Sequence, residues 1–540
     1  MNMLLFNIIL ITYLAVTVFL GYLGYRGTRS VKDFMLAGRQ THPYVMAVSY
    51  GATFISTSAI VGFGGMAGVY GMGILWLPFL NILFGVLLAF VVFGKKTREV
   101  GAKLDAHTFP ELLGKRYNSV LIQRFAGIVI FFFMPLYAGV VLIGAARFLE
   151  TSLNMNFNVA LLIMSVIIAL YVITGGLKAV LYTDTFQGTI MWVGMLFLLI
   201  ITYVKLGGIT GAHKALTDLA KFIPAKQAAE GFQGWTTMPK AGSVSWWTLV
   251  STVVLGVGIG VLAQPQLSIR FMTVKSSKDL NRAVVIGGVF IFLMTFVPYV
   301  TGSLSNVYFY NTTGKLSLEA AGANIDKIIP TFINSIMPPW FVYIFMLTLL
   351  AAAMSTISAQ FHVIGTSFAR DVFRRYDYKT PEKDAASTGA VNRRGLYYPK
   401  IGIIIGILIS VALGYFLPTS IIAKGTSLFF GVCAATFLPV YIFALFWKGA
   451  TKPGAIASMF TGLFSSLVWM LFINSGIASK VGLCKLLFGR DTLLGFPWNS
   501  VDAILIAFPL SFLVAYIVSL ATKKSGGPTG SVLTAATAEK

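Results

Sequence analysis

Two adjacent hydroxyl side chains, Ser355 and Thr356, stand within a long apolar stretch of the sequence. Ala352 precedes them by three and four positions, so its carbonyl group lies one turn away on the same wall of a helix. Hydroxyl and carbonyl oxygens together suit a hard monovalent cation. Ser and Thr also often bond to the carbonyl four residues back. The pair therefore fits either an all-oxygen cation site or ordinary helix packing.

Two other apolar stretches contain sequences that disrupt a helix. The second stretch carries the polar run 56–58 with glycines on both sides, and the seventh carries alternating glycines over 256–260 before Gln264 and Pro265. Unwound backbone at membrane depth is tolerated only where it lines a cavity, and its free carbonyls and helix ends can bind ions and solutes. Small residues could instead merely allow close helix packing. We expect a break in each stretch, with the glycines of the seventh contributing to its break.

The elements that hold these residues must be membrane helices. The chain has 540 residues, of which 57% are hydrophobic and only 11% charged, and its mean hydropathy of +0.82 excludes a set of soluble domains. Apolar runs long enough to cross a bilayer predict thirteen spans. Their expected positions are 4–24, 44–70, 72–94, 121–146, 158–174, 187–206, 245–269, 284–304, 337–368, 400–417, 427–447, 453–474 and 500–521.

The order of these spans predicts an internal repeat. The two weakened spans are the second and the seventh, so each opens a block of five, and two successive odd-numbered blocks must insert in opposite orientations. We therefore divide the chain into an extra N-terminal helix with its loop, a first five-helix repeat, an outer loop, a second five-helix repeat, two extra helices and a tail. The boundaries are 1–43, 44–206, 207–244, 245–447, 448–521 and 522–540.

Charge distribution predicts the orientation of the chain. Most of the 41 Lys and Arg residues fall in one alternate set of loops, which includes a connector over 370–394 and the C-terminal tail. Basic loops face the cytoplasm. We expect a multi-pass protein of the plasma (inner) membrane with its N-terminus outside and its C-terminus cytoplasmic. The net charge of +23 then reflects loop asymmetry, so we expect no nucleic-acid partner.

The ionisable residues give no enzyme chemistry. None of the 18 acidic residues falls in the middle of a predicted span, and Asp184 is placed in the loop before the sixth span. Among the four histidines only His362 lies within a span. A carboxylate relay, a zinc site and a Ser-His-Asp triad all lack parts. We predict a binding or transport protein, with packing as the simplest role for His362 and proton coupling as the alternative.

Three segments resemble signatures of the sodium:solute symporter family: 171–187, 263–271 and 446–455. The resemblance extends from residue 31 to about residue 459. It implies thirteen spans, a leucine-transporter-like core of five plus five helices, and alternating access driven by sodium, with no organic cofactor. A proton-coupled carrier of the same fold and a transporter-like solute sensor stay open as alternatives.

The same resemblance implies roles for individual residues. The sodium ligands would be the backbone oxygens of the second span, the carbonyl of the ninth span and its two hydroxyls, namely Ala52, Ile55, Ala352, Ser355 and Thr356. The bacterial proline carriers of the family have Asp where this chain has Phe54, so a charged contribution from that position is absent.

The solute pocket is expected beside these ligands. Its candidate residues are Ser56, Thr57, Tyr137, Val257, Val261 and Gln264, and the candidate coupling or gating residues are Arg39 and Asp184. One aromatic ring, two branched apolar side chains and hydroxyls suit a compact monocarboxylate or a small neutral amino acid better than a sugar. We expect a small-molecule solute and membrane lipid as partners, and no obligate protein partner.

Overall fold

The computed structural model describes residues 3–28, 30–373 and 393–523, and within these ranges the regular secondary structure is almost entirely helical. Its β pairing there is limited to one isolated bridge between Thr41 and Val274. A helix satisfies all of its own backbone hydrogen bonds, which apolar surroundings demand. Most of the predicted connector 370–394 and nearly all of the predicted tail 522–540 lie outside the described residues.

The described helices group into thirteen spans, as the sequence predicts. Spans 1 to 4 are Met3–Arg26, Pro43–Phe54 with Ser58–Tyr70, Trp76–Lys103 and Val120–Leu153. Spans 5 and 6 are the two parts of Phe157–Lys205. Span 7 is Val244–Ala263 with Pro265–Phe271, and span 8 is Ser277–Thr313. Spans 9 to 13 are Pro339–Phe373, Arg393–Phe416, Ile422–Phe446, Lys452–Ile473 and Ile504–Ala521.

Glycine turns divide two long helical stretches into pairs of spans. By length and composition, 11 stretches of the described residues could cross a membrane. One of them, the 46-residue stretch Ser58–Lys103, contains the second part of span 2 and all of span 3, and span 5 is not among the 11 because its apolar helix Phe157–Ile167 is shorter. The chain turns within Ser58–Lys103 at Gly71, where φ is 70°. It turns again at Gly176, where φ is 62° and ψ is 179°. These left-handed or otherwise unusual backbone conformations are accessible to glycine at little cost.

Two predicted loop boundaries are wrong. The predicted inner loop 175–186 is helical from residue 177 onward, because Gly176 alone accomplishes the turn between spans 5 and 6. The predicted outer loop 305–336 begins later, because span 8 continues as helix to Thr313. Both errors arise because the helix continues into polar sequence beyond the apolar run from which the span was predicted.

Spans 9 and 11 form the centre of the molecule. In each of them 89% of the apolar window is buried inside the protein, against 17% in span 1 and 28% in span 13. The first part of span 2, Pro43–Phe54, is also buried from Met46 to its end. The hydroxyl pair of span 9 and the polar run of span 2 therefore lie in the protein interior.

Candidate functional site

The break in span 2 lies where the sequence predicts it. The helix Pro43–Phe54 ends at Ile55, which has extended backbone angles of φ −90° and ψ 99°. Helix resumes at Ser58 and continues to Tyr70. The hydroxyl of Ser56 accepts a hydrogen bond from the amide of Ser58 at 3.1 Å. A local side-chain bond of this kind replaces the helical hydrogen bonds that the break removes.

Span 9 packs its hydroxyl pair against this break. Ser355 Oγ donates to the carbonyl of Ala52 at 2.9 Å and lies 3.3 Å from the carbonyl of Ala352. Thr356 Oγ1 donates to the carbonyl of Thr53 at 3.0 Å. All of these residues are buried. The break and the hydroxyl pair thus bring several uncharged oxygens together in a dry environment, which suits a hard monovalent cation.

Four of the five predicted sodium ligands take part in these contacts: Ala52, Ala352, Ser355 and Thr356. The fifth, Ile55, is fully buried at the break, and its amide donates to the carbonyl of Gly51 at 2.9 Å. Thr53, which the sequence argument did not select, supplies the carbonyl that Thr356 contacts.

The break in span 7 lies after the glycines that were expected to contribute to it. Residues 256–260 are helical, and the chain becomes extended only at Gln264, with φ −75° and ψ 115°. A Cβ atom on Gly260 would lie 2.7 Å from the backbone oxygen of Phe430, and one on Gly258 would lie 2.8 Å from Leu80. These two glycines therefore permit close packing against spans 11 and 3. The role expected for them in the break is wrong.

A small internal chamber adjoins the break in span 2. Its cavity volume is about 20 Å³, roughly the space needed by one water molecule. Three of the six predicted solute residues line it, namely Ser56, Tyr137 and Val257. The remaining wall is formed by Phe54, Ile55, Ser58, Ala59, Phe63, Asn81, Thr295, Tyr299, Thr426 and Phe430. No charged side chain is among these lining residues.

The other three predicted solute residues make other contacts. Thr57 Oγ1 donates to the carbonyl of Val141 at 2.7 Å. Val261 packs against Gly85, since a Cβ atom placed on Gly85 would lie 3.6 Å from both methyl groups of Val261. Gln264 Nε2 donates to the carbonyl of Gly260 at 3.0 Å, across the last helical turn before the break. Their roles in solute binding remain predictions.

Two chamber residues offer polar atoms without a protein partner. Ser58 Oγ and Asn81 Oδ1 are buried and make no hydrogen bond with the described residues. A buried polar atom normally has a partner, because leaving it unpaired costs about 1–3 kcal/mol. Ser58 belongs to the polar run 56–58 of the sequence. Asn81 belongs to no sequence motif, so only the folded structure identifies it as a chamber residue.

Asp184 lies inside the protein and not in a loop. It belongs to span 6 and is fully buried, so its expected position in the loop before that span is wrong. Its Oδ2 atom is 2.8 Å from Nη2 of Arg270, which is also fully buried. The same oxygen accepts hydrogen bonds from Ser49 at 2.7 Å and Thr53 at 3.1 Å. The carboxylate therefore joins spans 2, 6 and 7.

Arg39 lies away from Asp184. Its Nη2 atom donates to the carbonyls of Gly101 at 3.1 Å and Ala106 at 2.8 Å, and it is 3.6 Å from the carboxylate of Asp105. Burial lowers the pKa of Arg39, and the charge of Asp105 opposes that effect. Arg39 thus fixes the segment before span 2 to the end of span 3. The two candidate gating residues belong to separate contact networks.

A second buried charge network lies at the end of span 9. Arg370 donates to both carboxylate oxygens of Glu111, at 2.8 Å from Nε and 3.0 Å from Nη2. Asp371 accepts from Thr108 Oγ1 and Gln123 Nε2, each at 2.8 Å. Burial raises the pKa of Glu111, but Arg370 and Lys115 outweigh burial and bring that pKa to about 2. The sequence analysis placed Glu111 and Asp371 outside the predicted spans, and the network was missed.

His362 is buried in span 9, 2% exposed, and its ring centroid lies 5.5 Å from that of Phe34. Its Nε2 atom makes no hydrogen bond with the described residues. The packing role that the sequence favours for His362 remains a prediction.

The two broken spans within a bundle of thirteen helical spans are typical of the leucine-transporter-like fold. A solved structure supports this fold: a Na⁺-coupled sialic acid symporter in a substrate-bound, outward-open state superposes with a TM-score of 0.69 at 19% identity. The match covers 95% of this chain and 98% of that chain.

The chain belongs to the sodium:solute symporter family, whose model matches residues 34–462. It is 27% identical over 527 residues to sodium/proline symporter 2 of Staphylococcus saprophyticus, covering 96% of this chain and 93% of the relative. It is 28% identical over 438 residues to the sodium/pantothenate symporter of Haemophilus influenzae, covering 81% of this chain and 84% of the relative. The protein is therefore a multi-pass membrane transporter that couples sodium to a small solute, and it is not an enzyme.

Proposed function

We propose that sodium binds between span 2 and span 9, with the carbonyl oxygens of Ala52, Ile55 and Ala352 and the hydroxyl oxygens of Ser355 and Thr356 as ligands. The observation that carries this proposal is the 2.9 Å contact between Ser355 Oγ and the Ala52 carbonyl at the helix break. The hydroxyl hydrogen that is donated to a carbonyl in the ion-free state can rotate away, which leaves its oxygen free for the cation.

The solute site that we propose is the chamber beside this break. Its wall combines aromatic rings, small apolar groups and the unpaired polar atoms of Ser58 and Asn81. A compact carboxylate or a small neutral amino acid matches this set, because a sugar would need a partner for every hydroxyl group. The relatives named for proline and for pantothenate act on molecules that carry a carboxylate, which supports the same class.

We propose that the solute carboxylate binds to the amide groups at the start of the second half of span 2. Helix resumes at Ser58, and both Ser56 and Ser58 line the chamber. Amide hydrogens at the start of a helix attract negative charge. A carboxylate at this position needs no cationic side chain, in keeping with the uncharged wall.

Solute binding requires the chamber to expand. Its volume of about 20 Å³ is far below the roughly 300 Å³ at which small-molecule pockets begin. We propose that the half-helices on either side of the breaks at Ile55 and Gln264 move relative to their neighbours and open the chamber to one side at a time. The Arg270–Asp184 pair joins span 2 to span 7, so we assign it to coupling between the two repeats.

We propose uptake across the plasma (inner) membrane, with the N-terminus outside and the C-terminus cytoplasmic. The support is the concentration of Lys and Arg in one alternate set of loops. Arg39, which fixes the segment before span 2 to span 3, then lies on the cytoplasmic side and is our candidate for control of inner access.

The solute class is tested by thermal stabilisation of the purified protein with carboxylates, amino acids, sugars and vitamins, each with sodium and with potassium. A ligand at one hundred times its dissociation constant stabilises by about 2.7 kcal/mol. We expect sodium-dependent stabilisation by a carboxylate or neutral amino acid. Ser58→Ala should weaken it, whereas Ser410→Ala, whose hydroxyl bonds only to its own helix at Gly406, should not. Stabilisation by sugars alone would contradict the assignment.

A further inference from the structure

An apolar groove on the outer surface of the helix bundle lies directly behind the ion-binding half of span 2. Its cavity volume is about 240 Å³. Spans 2, 6 and 8 form its walls through Tyr44, Val48, Trp192, Ile286, Val289 and Phe290. Tyr44 is 44% exposed and Val289 is 55% exposed. Because all three walls are membrane spans, lipid is the surrounding medium at this depth.

Two basic residues extend one end of this groove. Lys278 and Arg282 are exposed on the first turns of span 8. They precede Ile286 by eight and four residues, so all three share one face of the helix at intervals of one turn, about 6 Å each. Asp279 on the same turn is engaged in the helix cap, where it accepts from the amide and hydroxyl of Ser276. The groove is therefore apolar at membrane depth and cationic at its mouth.

We propose that this groove binds an anionic phospholipid, with one acyl chain against Trp192 and Val289 and with the headgroup phosphate at Lys278 and Arg282. The shape and the charge both support this choice. An acyl chain matches a narrow apolar groove open to the bilayer, and exposed Lys and Arg at the membrane surface attract anionic headgroups. A zwitterionic lipid would gain much less from the two cations.

The groove has direct contact with the sodium-binding region. Phe290 forms part of the groove wall. The Phe290 ring packs closely on Gly51, since a Cβ atom placed on Gly51 would lie 2.4 Å from that ring. On the span 6 side, a Cβ atom on Gly188 would lie 2.7 Å from Val48 and 3.3 Å from Ala52. An acyl chain in the groove thus supports the outer side of the half-helix whose end carries Ala52 and Ile55.

The test is native mass spectrometry of the detergent-purified full chain, titrated with phosphatidylglycerol or with phosphatidylcholine. Wild-type protein should retain phosphatidylglycerol in preference. The double variant Lys278→Gln/Arg282→Gln should lose that preference by about tenfold or more, since each basic residue near anionic lipid contributes about a factor of five. The matched control Lys448→Gln/Lys452→Gln changes two exposed cations between spans 11 and 12 and should behave as wild type.

A second variant separates the groove from the charges. Val289→Trp fills the groove but keeps both cations, so it should reduce the retention of both lipids. Because Val289 is 55% exposed on the surface of the protein, the larger side chain should not prevent folding. Unchanged selectivity in the double Gln variant, or wild-type retention in Val289→Trp, would overturn the proposal. Equal retention of the two lipids by wild-type protein would do so as well.

Discussion

Arg270 and Asp184 are both fully buried and their side chains meet at 2.8 Å, although they are 86 residues apart in sequence. Ser49 and Thr53 on the first half of span 2 complete the contact, since both hydroxyls bond to Asp184 Oδ2. The first half of span 2, which ends at Phe54, is therefore joined to spans 6 and 7 by one carboxylate and one guanidinium.

The buried pair makes Asp184 important for stability. Asp184→Asn leaves the Arg270 charge without its counterion in a dry environment, and breaking such a pair commonly costs about 3–5 kcal/mol. We expect a large fall in the melting temperature of the purified protein. Asp184→Asn/Arg270→Gln removes both charges and should recover part of that loss. A single variant as stable as wild type would show that the pair contributes nothing to the fold.

The hydroxyl pair of span 9 should determine sodium affinity. Ser355→Ala/Thr356→Ala removes two of the proposed ligands, and each should cost about 1–3 kcal/mol. The sodium concentration for half-maximal uptake should rise by at least tenfold in proteoliposomes. Thr366→Ala is the matched control, because its hydroxyl bonds to His362 within the same helix. An unchanged sodium requirement in the double variant would place the ion elsewhere.

His362 should be dispensable for coupling. It lies six residues after Thr356, roughly 9 Å further along the helix, and packs beside Phe34. His362→Gln should retain sodium-driven uptake between pH 5.5 and 8, measured as initial rates at fixed sodium. Selective loss of uptake at acidic pH in this variant would favour proton coupling instead.

Asp326 should make stability depend on pH. Burial raises its pKa to about 6, against the opposing effects of the Arg147 charge and the Ile421 amide. Because the folded pKa exceeds the unfolded value, the ionised carboxylate destabilises the fold above pH 6, and this penalty disappears as pH falls from about 6 to about 4. The penalty is about 2–3 kcal/mol. The melting temperature of wild type relative to Asp326→Asn should therefore rise as pH is lowered from 8 to 4.5. A difference that stays constant with pH would mean that Asp326 does not titrate in this range.

The sequence predicts the spans and the first break because both depend on local properties. A membrane span is an apolar run of a set length, and the polar run 56–58 interrupts such a run. The proximity of Ala52 and Ser355 is also expected once the family resemblance assigns both to one site. These features need no knowledge of how distant helices pack.

The remaining features depend on tertiary packing. Asn81 and Tyr299 reach the chamber from spans 3 and 8, outside every motif. The break of span 7 comes after its glycines, since those glycines are used for contact with Phe430 and Leu80. Arg270 stands within a family signature but one residue beyond the predicted seventh span, 245–269, so its burial against Asp184 could be found only from the packing of spans 6 and 7.

We propose that sodium, bound between spans 2 and 9, drives the entry of the solute. The most direct measurement is solute uptake into sealed proteoliposomes with an inward sodium gradient, compared with potassium at the same concentration. We expect accumulation with sodium and only passive equilibration with potassium. We also expect Ser355→Ala/Thr356→Ala to lose most of the sodium-driven accumulation at limiting sodium. Equal accumulation with potassium, or accumulation in that double variant equal to wild type, would contradict this proposal.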